Sequence, residues 1–294
     1  MRKSFANAVI TQCNHEDFFF LTGDLGFMAL EEVQSAFGNR FINMGVAEQN
    51  MIGVAAGLAR ESLRVITYSI APFCYARPFE QIRNDLCLGR LPVCLVGNGG
   101  GYAYGHMGPT HHALEDCAAM SALGVRVLVP AFDDDLPALL TKLEVPTYLR
   151  LGYDERPAKE SVPNYAPWRE VMPGNCGAIA ALGPIAGIAW QALATLDIDE
   201  RPSVWAVCEL LDTEIPAAFF QQIDGKPLYI LEEHVASGGL GMNLAFYLAE
   251  RGITPQRFVH RPALGYPNGR FGSQAFHRAQ CGLDAKSIRT MVAG

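Results

Sequence analysis

The chain has 294 residues, 50% of them hydrophobic, and 23 Lys and Arg against 30 Asp and Glu, for a net charge of −7. That length covers two domains with cores of their own, and an acidic balance without any basic run excludes nucleic acid and anionic membranes as natural partners. No stretch has the form of a signal peptide or a bilayer span, and the 8 cysteines, none at metal-ligand spacing, fit buried thiols in a reducing cytoplasm, the expected location.

In chain order, Phe18-Phe19-Phe20-Leu21 predicts a first strand, followed by the turn Thr22-Gly23-Asp24-Leu25-Gly26. The next segment, Phe41 to Ala59, reads as a strand end, a turn at Gly45 and a tightly packed helix of small apolar residues. It places a single carboxylate, Glu48, at the helix N-terminus. A buried carboxylate without a partner is costly, so Glu48 is the leading candidate for chemistry, against a plain capping role. Val65-Ile66-Thr67-Tyr68 predicts a further strand that turns through Ile70 and Phe73 into a helical pattern, Phe79 to Asn84. Val93-Cys94-Leu95-Val96 is another strand, and it opens into the glycine-rich run from Gly97 to His112. A dinucleotide-binding loop needs a closing glycine, but the windows from Gly97 and Gly99 end at Tyr102 and Tyr104. His106 and His112 read as polar loop residues. Val125 to Val129 and Leu136 to Leu140 continue the alternation of strand and helix. Residues 156–175 are Pro-rich and read as a linker. Alternation resumes with Ala178 to Leu182, Ser203 to Val207 and Leu228 to Leu231. The fold class is therefore α/β, two parallel-sheet domains over 1–155 and 176–294.

The run Phe41 to Ala59 resembles the pyrimidine-binding domain of transketolase and its relatives. Gly108-Pro109-Thr110-His111, followed by Ala113-Leu114-Glu115-Asp116, is similar to the transketolase signature. The resemblance implies a thiamine diphosphate enzyme in which Glu48 bonds a ring nitrogen of the cofactor. His111 would lie over the cofactor, bond substrate hydroxyls and help move protons. Phe73 would stack on the aminopyrimidine, with Ile70 where the family has a second aromatic. Asp24 would approach the thiazolium side. Glu232-Glu233-His234 and Gly238-Gly239-Leu240-Gly241 match the family's carboxy-terminal domain and carry no expected chemistry.

The family holds the diphosphate through a divalent metal bound by Gly-Asp-Gly and a later Asn. This chain has only Gly23-Asp24-Leu25 and Asp224-Gly225, so no metal ligand is expected here. The resemblance then implies the carboxy-terminal subunit of a split transketolase, with Met1 near the natural start of the domain. Its partner would be an amino-terminal subunit carrying Gly-Asp-Gly and holding Mg2+ (or Ca2+), assembled two by two as an α2β2 heterotetramer. The reaction implied is transfer of a two-carbon ketol unit from a ketose to an aldehyde. For an anionic substrate, Arg2 and Arg150 match the family's arginines, but its His, Ser and Asp fall on Gly99, Met28 and Met107. Arg77, with Tyr68, also fits the pattern of deoxyxylulose-phosphate synthase. That keeps open a 2-oxo acid donor and a decarboxylating enzyme, and a non-catalytic scaffold is the third reading.

Overall fold

The computed structural model describes residues 1–12, 14–26, 28–141, 143–210 and 214–294. Six strands start the chain: β1 (Phe18–Thr22), β2 (Phe41–Asn43), β3 (Arg64–Ile70), β4 (Val93–Asn98), β5 (Arg126–Leu128) and β6 (Thr147–Leu151). They are followed by β7 (Trp168–Met172), β8 (Ala178–Leu182), β9 (Ser203–Val207), β10 (Glu209–Leu210), β11 (Pro227–Leu231) and β12 (Arg257–Arg261). A seven-stranded sheet has the order β10-β5-β6-β4-β3-β1-β2, and a five-stranded sheet the order β12-β11-β8-β9-β7. Both are parallel except for one antiparallel edge strand each, β10 and β7. Strands such as β6, β8 and β9 are buried along their whole length, as a parallel sheet covered on both faces requires.

The helices that matter here are α1 (Arg2–Ile10), α2 (Glu31–Phe37), α3 (Glu48–Arg60), α4 (Ala71–Tyr75), α5 (Phe79–Gln81) and α6 (Asp116–Ala122). α1 turns Phe5, Ala6, Ala8 and Val9 into an aromatic core with Phe18, Phe20, Phe37 and Tyr68. α3 buries Met51, Ile52, Ala55, Ala56 and Ala59. Its glycine face is open, contrary to the tight packing expected: a Cβ on Gly53 or Gly57 would meet nothing within 4 Å. α5 passes into a π-helical turn at Ile82–Cys87, within the stretch expected to be helical. No helix among the described residues is long and apolar enough to cross a membrane. The seven described cysteines are free, and burial pushes the Cys94 thiol up to about 12.

One expected boundary moves. Trp168–Met172 is a strand of the second sheet, so the irregular stretch ends at Pro167 rather than at Asn175. The prolines hid it, because Pro flanks edge strands as readily as it fills linkers. Buried Trp168, Val171 and Met172 anchor β7, and Arg169 Nη2 donates to Asp135 Oδ1 at 2.6 Å.

The two sheets are stitched by charge. Arg150 on β6 is 5% exposed and donates through Nε to Asp116 Oδ2 at 2.8 Å. Its Nη2 donates to the carbonyls of Ala113 at 2.7 Å and Glu233 at 2.9 Å, the latter just beyond β11. The Tyr148 hydroxyl adds a bond to the same Asp116 oxygen at 2.7 Å. Removing one partner strands a charge in the interior, at a cost of about 3–5 kcal/mol. Arg150→Ala should therefore lower the free energy of unfolding by about that amount in urea denaturation, and a loss below about 1 kcal/mol would contradict the stitch.

Candidate active site

Site residues gather where parallel sheets place them, at the carboxyl ends of neighbouring strands. β1 ends into Gly23-Asp24, β2 runs through Gly45 into α3, β3 runs through Ile70 into α4, and β4 opens the glycine-rich loop. The side chain of Asn43 clamps the first two turns. Its Oδ1 accepts from the backbone N–H of Asp24 at 2.9 Å and of Gly45 at 3.0 Å, and its Nδ2 donates to Asp24 Oδ1 at 3.0 Å. Space at Gly23 is tight, since a Cβ there would stand 3.3 Å from the Gly45 carbonyl.

Glu48 opens α3 and is only 3% exposed. Its carboxylate accepts from Arg77 Nη1 at both oxygens, at 3.0 and 2.9 Å, and Ser69 Oγ stands 3.4 Å from Oε1. The Arg77 guanidinium lies over the Phe73 ring, with Cζ 3.9 Å from the centroid. The other neighbour of Phe73 is His111, edge-on with ring centroids 5.2 Å apart. Buried carboxylate, guanidinium, flat aromatic and imidazole thus follow one another in a chain of contacts. Ile70 adds a half-buried apolar residue at the end of β3.

The loop that carries His111 is pinned from the second sheet. The Tyr102 N–H donates to Glu233 Oε1 at 2.6 Å, and its ring stacks on His277 with centroids 4.3 Å apart. Arg278 Nε holds the other Glu233 oxygen at 2.5 Å. Gly105 presses so closely on the 272–274 backbone that any Cβ there would collide with the Gly272 carbonyl. Thr110 Oγ1 and His111 Nδ1 are 2.9 Å apart. His112 is a polar loop residue as expected, and a buried one: it is 4% exposed, with Nδ1 2.6 Å from the Tyr266 hydroxyl and Nε2 3.0 Å from the Gly105 carbonyl.

Residues 1–152 match the family described as "Transketolase, pyrimidine binding domain". The chain belongs to the transketolase family. It is 29% identical to a subunit of the apulose-4-phosphate transketolase of Actinobacillus succinogenes, over 86% of this chain and 83% of that one. It is 32% identical to 1-deoxy-D-xylulose-5-phosphate synthase 1 of Geobacter sulfurreducens, over 86% of this chain but 41% of the synthase. A solved split-gene transketolase, an inactive beta4 tetramer, superposes with a TM-score of 0.81 at 28% identity and covers 99% of this chain and 96% of that one.

The structure brings Glu48, Phe73, Arg77 and His111 together and gives Arg150 other partners. Its Nε and Nη2 are committed to Asp116, Ala113 and Glu233, which makes Arg150 a structural residue and not the anion grip expected from its place in the pattern. Asp24 is exposed and held by Asn43. Arg2, on α1, is exposed and near enough to Tyr104 to act on its hydroxyl electrostatically. Gly99, where a transketolase would carry His, has φ +77 and its Cβ position is taken by the Tyr104 ring, which folds back so that Asn98 Nδ2 donates to its hydroxyl at 2.7 Å. Tyr104 also tilts against His111 at 6.2 Å. Neither Tyr104, Ser69 nor Asn43 was legible as a site residue. Only the Ser69 position, one residue from a strand end, carried any signal. A cleft of about 850 Å³ opens at the opposite, amino ends of β5 and β6 beside Arg90, Ser121 and Tyr165.

Burial holds His112 and His277 below the usual histidine range. Between those depressed values and the ordinary 6.5, the unfolded chain binds protons that the folded chain refuses. Their contribution is fully present above the ordinary value and is lost as pH falls toward the folded ones. Melting temperature should therefore drop between about pH 7.5 and about pH 5.5, and His112→Gln with His277→Gln should flatten the drop. An equally steep drop in the double variant would show that other groups carry it.

Proposed function

We propose that this chain is the pyrimidine-binding subunit of a two-chain, thiamine diphosphate-dependent transketolase that passes a two-carbon ketol unit from a ketose to an aldehyde. The observation that carries the reading is Glu48, a carboxylate 3% exposed at the start of α3, linked through the Arg77 guanidinium to the Phe73 ring that His111 meets edge-on. A carboxylate beside a flat aromatic face suits an aminopyrimidine, which needs one hydrogen bond in its plane and one stacking surface. When bound, thiamine diphosphate supplies the electron sink that lets a carbon–carbon bond beside a carbonyl break and re-form.

In this arrangement Glu48 bonds a nitrogen of the ring and holds the proton exchanged there. Phe73 and Ile70 keep water from that face. His111, with Nδ1 engaged by Thr110, presents Nε2 to a substrate hydroxyl and moves its proton. Asp24 lies on the thiazolium side. Arg2 is the remaining arginine for an anionic substrate, and the names of the relatives favour a phosphorylated sugar over a neutral one.

In this reading the metal is held outside this chain. Among the described residues one group of metal-capable side chains comes together, Asp116, Cys117 and His234. Asp116 Oδ2 is taken by Arg150 and Tyr148 while its Oδ1 has no partner, and both His234 ring nitrogens are engaged, Nδ1 by the Val235 carbonyl and Nε2 by the Ala118 N–H. The diphosphate and its Mg2+ (or Ca2+) would be held by a partner subunit carrying Gly-Asp-Gly, in an α2β2 assembly. The 2-oxo acid reading is weaker here, because Tyr68, one of its two markers, lies in the core at 0% exposure, stacked on Phe5.

Co-expression with a Gly-Asp-Gly subunit should yield a heterotetramer with ketol-transfer activity. Turnover of pyruvate with carbon dioxide release and no ketol transfer would overturn the reading. In that complex Glu48→Gln should lower turnover by about two orders of magnitude with cofactor saturating, the scale of lost acid–base catalysis. Turnover near wild type would remove Glu48 from the chemistry.

A further inference from the structure

The side chain of Arg77 leaves solvent to do two things at once. It donates to both oxygens of Glu48 at 3.0 and 2.9 Å, and it lays its guanidinium plane over Phe73 at 3.9 Å. Those are the two contacts that the proposed function assigns to the cofactor's aminopyrimidine. Guanidinium and aminopyrimidine share the chemistry that matters here. Each is flat and delocalised, with nitrogen donors in its plane and a face that stacks on an aromatic ring.

We propose that Arg77 is an internal surrogate for the aminopyrimidine, which must leave before the ring can enter, and that it thereby sets the affinity of the assembled enzyme for thiamine diphosphate. The inference rests on the functional reading above. Glu48 is the reason a surrogate is needed. A carboxylate at 3% exposure without a partner is costly, and a chain that folds before it meets cofactor must satisfy that charge from within. Arg77 is well placed to come and go. Its side chain is 44% exposed, and it sits in the short turn between α4 and α5, with Pro78 next. Gln49 Nε2 bonds its carbonyl at 3.3 Å, so the backbone stays anchored to α3 while the side chain swings. The apparent dissociation constant of the cofactor is then its intrinsic value divided by the fraction of chains in which Arg77 is out.

The full chain alone gives the first test, with 4-amino-2-methylpyrimidine as probe and ligand-observed NMR as readout. Arg77→Ala should bind the probe, whereas wild type and the double variant Arg77→Ala/Glu48→Gln should not. Equal binding by wild type and Arg77→Ala, or binding by neither, overturns the surrogate. Circular dichroism melts confirm that each variant is folded, as the exposure of Arg77 leads one to expect. The second test is thiamine diphosphate binding to the complex with the partner subunit, followed by quenching of protein fluorescence. Arg77→Ala should tighten it by about tenfold. Cofactor binding to wild type with an unchanged or weaker constant in the variant overturns the surrogate and leaves the functional reading standing. No binding to any form overturns the functional reading itself.

Discussion

The buried ion pair between Arg150 and Asp116 decides where the glycine-rich loop can go. It ties β6 to the start of α6, and through the carbonyls of Ala113 and Glu233 it ties both to the end of β11. Glu233 then reaches back to the Tyr102 N–H. The segment from Gly97 to His111 is consequently held at its start by the Leu151 carbonyl, which accepts from the Gly99 and Gly100 N–H groups, and at its middle, Tyr102 and Gly105, by groups from the second half of the chain. Its many glycines are therefore compatible with a defined position. Low dielectric makes such a network strong when every member is bonded, and expensive when one is not.

Much of this was legible in the sequence, for reasons that can be named. Glu48 stood out because a lone carboxylate among small apolar residues has no solvated face to occupy. The parallel strands were visible as short apolar runs, since a sheet covered on both faces does not alternate. The family resemblance matched both halves. Where reading failed, the same residue type admitted two environments. Arg77 and Arg150 both fit an anion-binding pattern. Nothing local says that one reaches back to a carboxylate 29 positions away, or that the other is absorbed by Asp116, 34 positions away. Only the pairing of strands brings those distances together.

The same blindness explains Tyr104 and β7. Gly99 looked like the loss of a polar side chain, whereas its positive φ and empty Cβ position let an aromatic fold back and bond Asn98. The rim beside His111 therefore carries a phenol, that of Tyr104, over Gly99. β7 was hidden by prolines on either side of it, which mark an edge strand and a linker alike. Secondary structure at a sheet edge is decided by the neighbour, and the neighbour of β7, β9, lies some thirty residues further along the chain.

The two-residue strand β10 has a consequence for the history and handling of the chain. Although it follows β9, it crosses to the first sheet, pairs antiparallel with β5 and covers its outer edge through Glu209 and Leu210, with Arg126 and Glu209 clasped beside it. The two sheets are therefore not separable modules: a fragment ending before β7 would leave Val127 and Leu128 on an uncapped edge, ready to recruit a strand from another molecule. Recombination that shuffles pyrimidine domains among relatives would have to carry residues 209–210 along, or accept a product that clumps.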